Sequence, residues 1–478
     1  MVILRLTSLE FVPNWRKRCL AGFLLAWFLY FNWSSLRVHF APDDMMNMAY
    51  YFRAGPSSLA AALITPWTGF YRPMGGLFYM TLFAGFGLNP APYHAAILIL
   101  LAASVWLTYR FARLLGCGEL AAGLAALVMT YHPGLSNLYY NSGFVYDVLC
   151  LFFYLAAFVY YARIRQSGRA LRPGETAVFL VSFLCALHSK EMAVTLPVAL
   201  LAYEWLYHHR VRDARWVLGL AAALDVASVC GKLFGAGALI SQPGYGPVLS
   251  MGRLIDFQHV MLSDVFVNWH YPVWPIWAGL GVLAFTNVWW LGWQAPAPQL
   301  GVALPNRRPV LRFCWVFSIV IAPLPIEFLK GRSAACLAIP AVGLAVFAAV
   351  ALTKLAKLAG RRQEVTAAIV VAAVCLWAHR IHYLKGWLVE PAMARLGQTG
   401  WDTIGQFRAL DPHVRPGSQV VFLHDPSTDL ETASIAELWF HDRTVEIHLQ
   451  RQNPLPPEEL AKMDALFDFQ DGKLVQVK

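Results

Sequence analysis

Charge is what this chain has little of: only 14% of its 478 residues are Asp, Glu, Lys or Arg, where a soluble protein of this size carries roughly 25%. With 58% hydrophobic residues and a mean hydropathy of +0.49, that scarcity excludes an ordinary soluble protein. A cysteine framework is missing too. The eight cysteines stand at 19, 117, 150, 185, 230, 314, 336 and 375 and make no CxxC pair. They read as small apolar packing residues. No repeat with a period of about 34 residues occurs, so a tetratricopeptide array is absent. A glycine-rich nucleotide loop is absent as well.

Long apolar runs are plentiful. Runs of about 18 residues or more suffice to cross a hydrocarbon core of about 30 Å. Eleven spans are expected, near 19–36, 91–108, 119–137, 143–161, 175–188, 192–207, 216–234, 272–293, 313–329, 334–352 and 365–384. The formal charge of +10 is mostly topology rather than a nucleic-acid signal. With the N-terminus in the cytoplasm, about twenty Lys and Arg fall in inner segments, against eight outside. The outer eight are Arg37, Arg53, Arg72, Lys190, Lys232, Arg253, Lys330 and Arg332. Arg16-Lys17-Arg18 before the first apolar run resembles the opening of a signal peptide. That run is long and Ser34–Pro42 offers no small-x-small cleavage site, so it reads as an uncleaved anchor.

The expected organisation is an all-α polytopic membrane domain over 1–385 and a small extracytoplasmic α/β tail over 386–478. The first outer loop, 37–73, opens with the helix-start signal Pro42-Asp43-Asp44. Met45–Arg53 reads as a short helix, and Ser57 or Ser58 starts another. Residues 74–86 are apolar but short, and read as interfacial. A second outer loop, 235–270, is rich in Gly and Pro and then amphipathic. It ends on Trp269, Tyr271, Trp274 and Trp277, an aromatic cluster suited to the headgroup level. In the tail, 418–423 and 444–450 read as strands, and 467–477 as a hairpin across Asp471-Gly472.

Chemistry-bearing residues collect on the outer side. Asp43 and Asp44 are neighbouring carboxylates able to act as a general base, orient a hydroxyl or bind a divalent cation; the plainer reading is that Asp43 caps a helix and Asp44 favours its dipole. Tyr71-Arg72-Pro73 closes the same loop, with an arginine fork matched to phosphate oxygens. His188-Ser189-Lys190-Glu191 lies in a tight turn between spans, where Lys190 and Glu191 either serve a site or pair with each other. Lys330 and Arg332 flank Gly331, a turn suited to phosphate. Asp147 sits near the outer end of a span, close to Tyr131, His132 and Asn141. Asp225 lies mid-span, where an ionisable group is costly and calls for a partner or a proton.

In order and in placement these residues resemble the C-type fold (GT-C) of membrane glycosyltransferases, with the nearest likeness to protein O-mannosyltransferase-like enzymes, including the tetratricopeptide-linked transmembrane group. The likeness covers about 15–350 and rests on Asp43-Asp44, Tyr71-Arg72-Pro73, Asn89-Pro90 to His94, Ser189-Lys190-Glu191 with Pro197, and Gly331-Arg332 with Pro340. It departs in lacking the repeats, and in having Ser333-Ala334-Ala335 where an aromatic commonly follows the arginine.

The resemblance implies a transferase in a membrane, the bacterial inner membrane, that takes a sugar from a polyprenyl-phosphate carrier to a hydroxyl of a protein or glycolipid. It implies Asp43 and Asp44 as acceptor-activating acids, and Arg72, Lys190, Lys330 and Arg332 as donor-phosphate ligands. Tyr71, His188, Glu191 and Asp147 stand as further site candidates. Membrane lipids are expected partners, nucleic acid is not, and a divalent cation has its natural place beside Asp43 and Asp44. The competing expectation is a transporter or flippase for a lipid-linked or anionic solute. Such proteins often show internal repeats and midplane sites, and Asp225 is the residue that favours it.

Overall fold

The computed structural model describes residues 15–65, 72–207, 211–235, 246–267, 274, 278–279, 281, 308–329, 331–359, 362–427 and 429–478. Tyr71, Lys330 and nearly all of the expected span 272–293 lie outside them. The main helices are α1 (Trp15–Asn32), α2 (Pro42–Ile64), α3 (Pro73–Phe86), α4 (Pro90–Leu114), α5 (Glu119–Thr130), α6 (Val145–Arg165), α7 (Pro173–Leu187) and α8 (Leu196–Leu206). They continue with α9 (Val211–Phe234), α10 (Met251–Phe266), α11 (Arg308–Trp315), α12 (Ala338–Ala359), α13 (Gln363–Leu384), α14 (Gln398–Leu410) and α15 (Glu431–Phe440).

Among the described residues, seven helical segments, those containing α1, α4, α6, α9, α11, α12 and α13, are long and apolar enough to cross a membrane. The chain is a mostly helical, multi-span membrane protein. Three other expected spans come out shorter. α5 and α7 are apolar but have 12 and 15 residues. The run 192–207 is divided into a 3-10 turn, Glu191–Thr195, and the eleven-residue α8. Pro197 explains the division: it sits in the first turn of α8, where a missing N–H costs nothing. α3, with 14 residues, is about 21 Å long at 1.5 Å per residue, short of a full crossing.

The first loop forms one helix, α2, broken at Gly55 (φ 81°, ψ 170°) and Pro56. The second half therefore starts a residue or two before the serines expected to start it. A side chain at position 55 would also meet the Arg443 guanidinium, 3.2 Å from the added carbon. Glycine is thus required there for both backbone and space.

The bundle core is aromatic. Phe111 and Phe158 lie 4.8 Å apart between ring centroids, and Phe313 stacks near Phe158 and Phe317, at 5.7 Å from each. At the end of the bundle away from Asp43, Arg165 donates to both oxygens of Glu204 at 2.8 and 2.9 Å, and Tyr161 adds a third bond at 2.9 Å. All three side chains are buried. In so apolar a place, only such full pairing makes two charges tolerable.

The last apolar helix does not end at the bundle surface. The chain stays helical from Gln363 to Leu410, through a π turn at Lys385–Val389. This rod leads into a four-stranded sheet of order β2-β1-β3-β4: β1 (Gln419–Phe422), β2 (Glu446–Leu449), β3 (Ala465–Gln470) and β4 (Lys473–Gln476). β1 pairs in parallel with β2 and β3, while β3 and β4 form the antiparallel hairpin. Its turn is Asp471-Gly472, both at positive φ as such a turn requires. The sheet domain docks on α2 through α15. Arg53 pairs with Glu437, and Arg443 donates to the Phe52 carbonyl at 2.7 Å while lying over the Phe52 ring.

Candidate functional site

Helix ends meet at one pole of the bundle around a cavity of about 510 Å³. α2 brings Asp43 and Asn47, one turn apart on the same face. The start of α6 brings Tyr146 and Asp147, the α7–α8 turn brings Lys190 and Glu191, and the segment before α12 brings Arg332, Ser333 and Cys336. Arg72, just before α3, closes the ring.

Asp43 fits because its neighbour is a glycine. A Cβ on Gly143 would lie 2.8 Å from the Asp43 Cβ. The Gly143 turn is itself held by its N–H donating to Asn141 Oδ1 at 2.8 Å. Burial raises the Asp43 carboxyl above its ordinary range, and the carboxylate of Asp429 in the tail raises it further.

Asp44 does a different job. It is fully buried and does not line the cavity. Its carboxylate accepts from the Ala41 N–H at 2.8 Å, the Ser142 hydroxyl at 2.7 Å and the Tyr79 hydroxyl at 3.1 Å. Burial outweighs these three bonds and pushes it up to about 7. Asp44, not Asp43, closes the first turn of α2. Asp44 is buried away from the cavity with both oxygens already accepting hydrogen bonds, and among the described residues no group of three or more His, Cys, Asp or Glu is placed to hold a metal ion. The residues present do not fit the divalent cation expected beside the pair.

The basic residues arrive already partnered. Lys190 does not pair with Glu191. Its Nζ lies 2.6 Å from each oxygen of Asp147 and 3.2 Å from Cys336 Sγ. Burial works against the ammonium, but Asp147 outweighs it and holds Lys190 above its ordinary value. Arg72 grips Glu191 with Nη2 at 3.1 Å and Nε at 3.3 Å, and lies 5.1 Å over the Tyr146 ring. Lys232 reaches the same carboxylate at 3.7 Å. Burial alone would raise Glu191; Arg72, Lys232 and Lys190 hold it well below the carboxylate range.

His188 ends α7 outside the cavity, where burial and then Lys232 lower it to about 4. Its carbonyl accepts from the Met74 N–H at 3.3 Å. His132 is spent on the Val265 carbonyl at 2.8 Å. Asp225 lies elsewhere on α9, with one buried oxygen that meets no hydrogen-bond partner among the described residues.

Of the expected site residues, Asp43, Arg72, Asp147, Lys190, Glu191 and Arg332 line the one cavity. Asn47, Tyr146, Ser333 and Cys336 were not foreseen there, nor was Lys232 as a partner of Glu191. Asn47 alone was within reach of sequence reasoning, as the residue four places after Asp43 on a helix.

The membrane bundle, with a long first-loop helix, a polar cavity at one pole and a small tail over that pole, has a GT-C-like fold, as the likeness to a solved structure shows. Among solved structures, the chain is similar to ArnT from Cupriavidus metallidurans bound to undecaprenyl phosphate, with a TM-score of 0.51 and 14% identity over 97% of this chain and 98% of that one. It is less similar to the apo oligosaccharyltransferase of Archaeoglobus fulgidus, with a TM-score of 0.43 and 11% identity over 91% of this chain and 64% of the other. No protein-family model matches the sequence, and no curated protein does.

Proposed function

We propose that the chain is a membrane glycosyltransferase that moves a hexosyl group from a polyprenyl-phosphate donor to a hydroxyl of a protein or glycolipid, on the extracytoplasmic face. The observation that carries this reading is the division of charge in the cavity. Asp147 and Glu191 are held by cations, whereas among the described residues no cation pairs with Asp43, on which burial and another carboxylate, Asp429, act instead. Asp43 is therefore the base. The binding of undecaprenyl phosphate to a neighbour of the same fold supports a lipid-linked donor.

In the proposed reaction, the acceptor oxygen attacks the anomeric carbon and gives its proton to Asp43. The bond from that carbon to the phosphate oxygen breaks, and the phosphate leaves with the electron pair. Arg72, Lys190 and Arg332 stabilise the charge gathering on it, in a site where fixed charges act strongly. Lys330, two positions before Arg332 in the sequence, is assigned the same role. A base near neutrality is the most useful one, and the raised carboxyl of Asp43 moves in that direction. Asp44 positions Asp43 by locking the start of α2 to Ser142 and Tyr79.

Mass spectrometry of glycolipids and glycopeptides, with the gene present, deleted and carrying Asp43→Asn, tests the proposal. A hexose lost on deletion and not restored by the variant is expected. Full restoration by Asp43→Asn overturns the assignment.

A further inference from the structure

A second cavity, of about 440 Å³, lies in the tail, within the roughly 300–1,000 Å³ of ordinary small-molecule sites. Its place follows from the topology. The connection leaving β1 runs to β2 on one side, and β3 lies on the other side of β1 and turns away into β4. In an open parallel sheet, ligands bind where such connections part, at the carboxyl ends of the strands. His424 and Asp425, just after β1, and Phe469, near the end of β3, line the cavity there. Thr399, Thr403 and Gln406 of α14 cover it.

The lining chemistry is selective. Hydroxyls, an amide, an imidazole and carboxylates supply donors and acceptors, Phe469 supplies an apolar ring, and neither Lys nor Arg lines the cavity. Phosphate has no counterion there. Asp425 is already engaged by Arg451 at 3.2 Å and by the Ser427 hydroxyl at 2.7 Å. His424 is oriented by Asp468, which takes its Nδ1 at 2.8 Å and its backbone N–H at 3.2 Å. That leaves Nε2 for a ligand. Beyond this end of β1 stands Glu431, the first residue of α15, the helix that docks on α2 and so on the element carrying Asp43 and Asp44.

We propose that the tail cavity is an acceptor subsite for neutral carbohydrate, one or two sugar rings, in the domain that α15 docks onto the helix of the acidic motif. The inference rests on the transferase reading for the word acceptor, but not for the binding itself. The first cavity holds the anionic donor, the second the uncharged sugar of the acceptor.

The test uses the full chain in lipid nanodiscs and saturation-transfer NMR with cellobiose, maltose, mannobiose and N-acetylchitobiose. At least one disaccharide is expected to bind, with glucose 6-phosphate failing to bind or compete. The His424→Ala/Gln406→Ala double variant is expected to lose the signal at least fivefold, while Asp43→Asn keeps it. No binding by any of the four, or binding undiminished in the double variant, overturns the proposal. If the double variant melts at a lower temperature than the parent, His424→Ala alone, at a largely exposed position, gives the same reading. Transfer that survives Asp43→Asn refutes the catalytic assignment and leaves the binding result standing.

Discussion

At the residue scale the acidic pair divides into two unlike members. The sequence shows two carboxylates at the start of a helix but not which one is spent on structure. The partners that decide it, Tyr79 and Ser142, lie 35 and 98 residues away, beyond any local pattern. Asp44→Asn replaces one carboxylate oxygen by an amide donor, set either against the Ala41 N–H or against the Ser142 and Tyr79 hydroxyls. It is expected to cost about 1–3 kcal/mol, the usual penalty for a buried polar group left unsatisfied, seen as a lower melting temperature. Asp43→Asn is expected to melt normally and to lose activity about 10²–10⁴-fold, the contribution of a general base. Stability also acquires a pH dependence. Folded Asp44 keeps its proton up to about 7, whereas an unfolded aspartate loses it near 4. Between those values the folded chain binds more protons, so stability falls as pH rises, and above about 7 this contribution is flat. Glu431, pushed up to about 7 by burial and then by Asp429 and Asp44, acts with the same sign. Melting measured at pH 6 and pH 8 is expected to favour pH 6, and Asp44→Asn to shrink the difference, leaving the part due to Glu431.

At the element scale, the short connections between helices set the geometry that the sequence left open. Lys190 and Glu191 are adjacent, so mutual pairing was a reasonable alternative. Lys190 is extended (φ −160°, ψ 154°) and Glu191 begins a 3-10 turn, which sends the two side chains apart. Each then finds a partner on another helix, Asp147 at a separation of 43 residues and Arg72 at 119. Removing one member of a buried pair strands the other. Lys190→Met is expected to destabilise by on the order of 3–5 kcal/mol, and Lys190→Met with Asp147→Asn by much less. Thermal melting of both variants in detergent checks this. The tail elements were legible for a local reason: alternating strands and the Asp471-Gly472 turn are written in neighbouring residues. The docking of α15 on α2 was not, since it depends on Gly55 making room for an arginine nearly four hundred positions later.

At the scale of the whole molecule, seven of the eleven expected spans appear among the described residues as helices long and apolar enough to cross a membrane, and three others as shorter helices. An apolar run of helix-forming residues reads the same whether it crosses a bilayer or stops halfway against its neighbours. The charge bias is the ground for the proposed orientation, in which Arg163 and Arg169 lie inside and Asp43 and the tail outside. In a cysteine-free background, Lys473→Cys is expected to react with a membrane-impermeant maleimide in intact cells, and Arg169→Cys only after lysis; the reverse pattern inverts the orientation. The grip of Arg72 and Lys232 on Glu191 has a consequence for turnover. In the proposed reaction, an arriving carrier must evict a resident anion tethered to the protein, and that tenant stands ready to reclaim its seat the moment the spent carrier loosens. Such a machine forgoes tight retention at both ends of the cycle, and its pace is governed by how readily one internal carboxylate yields and returns.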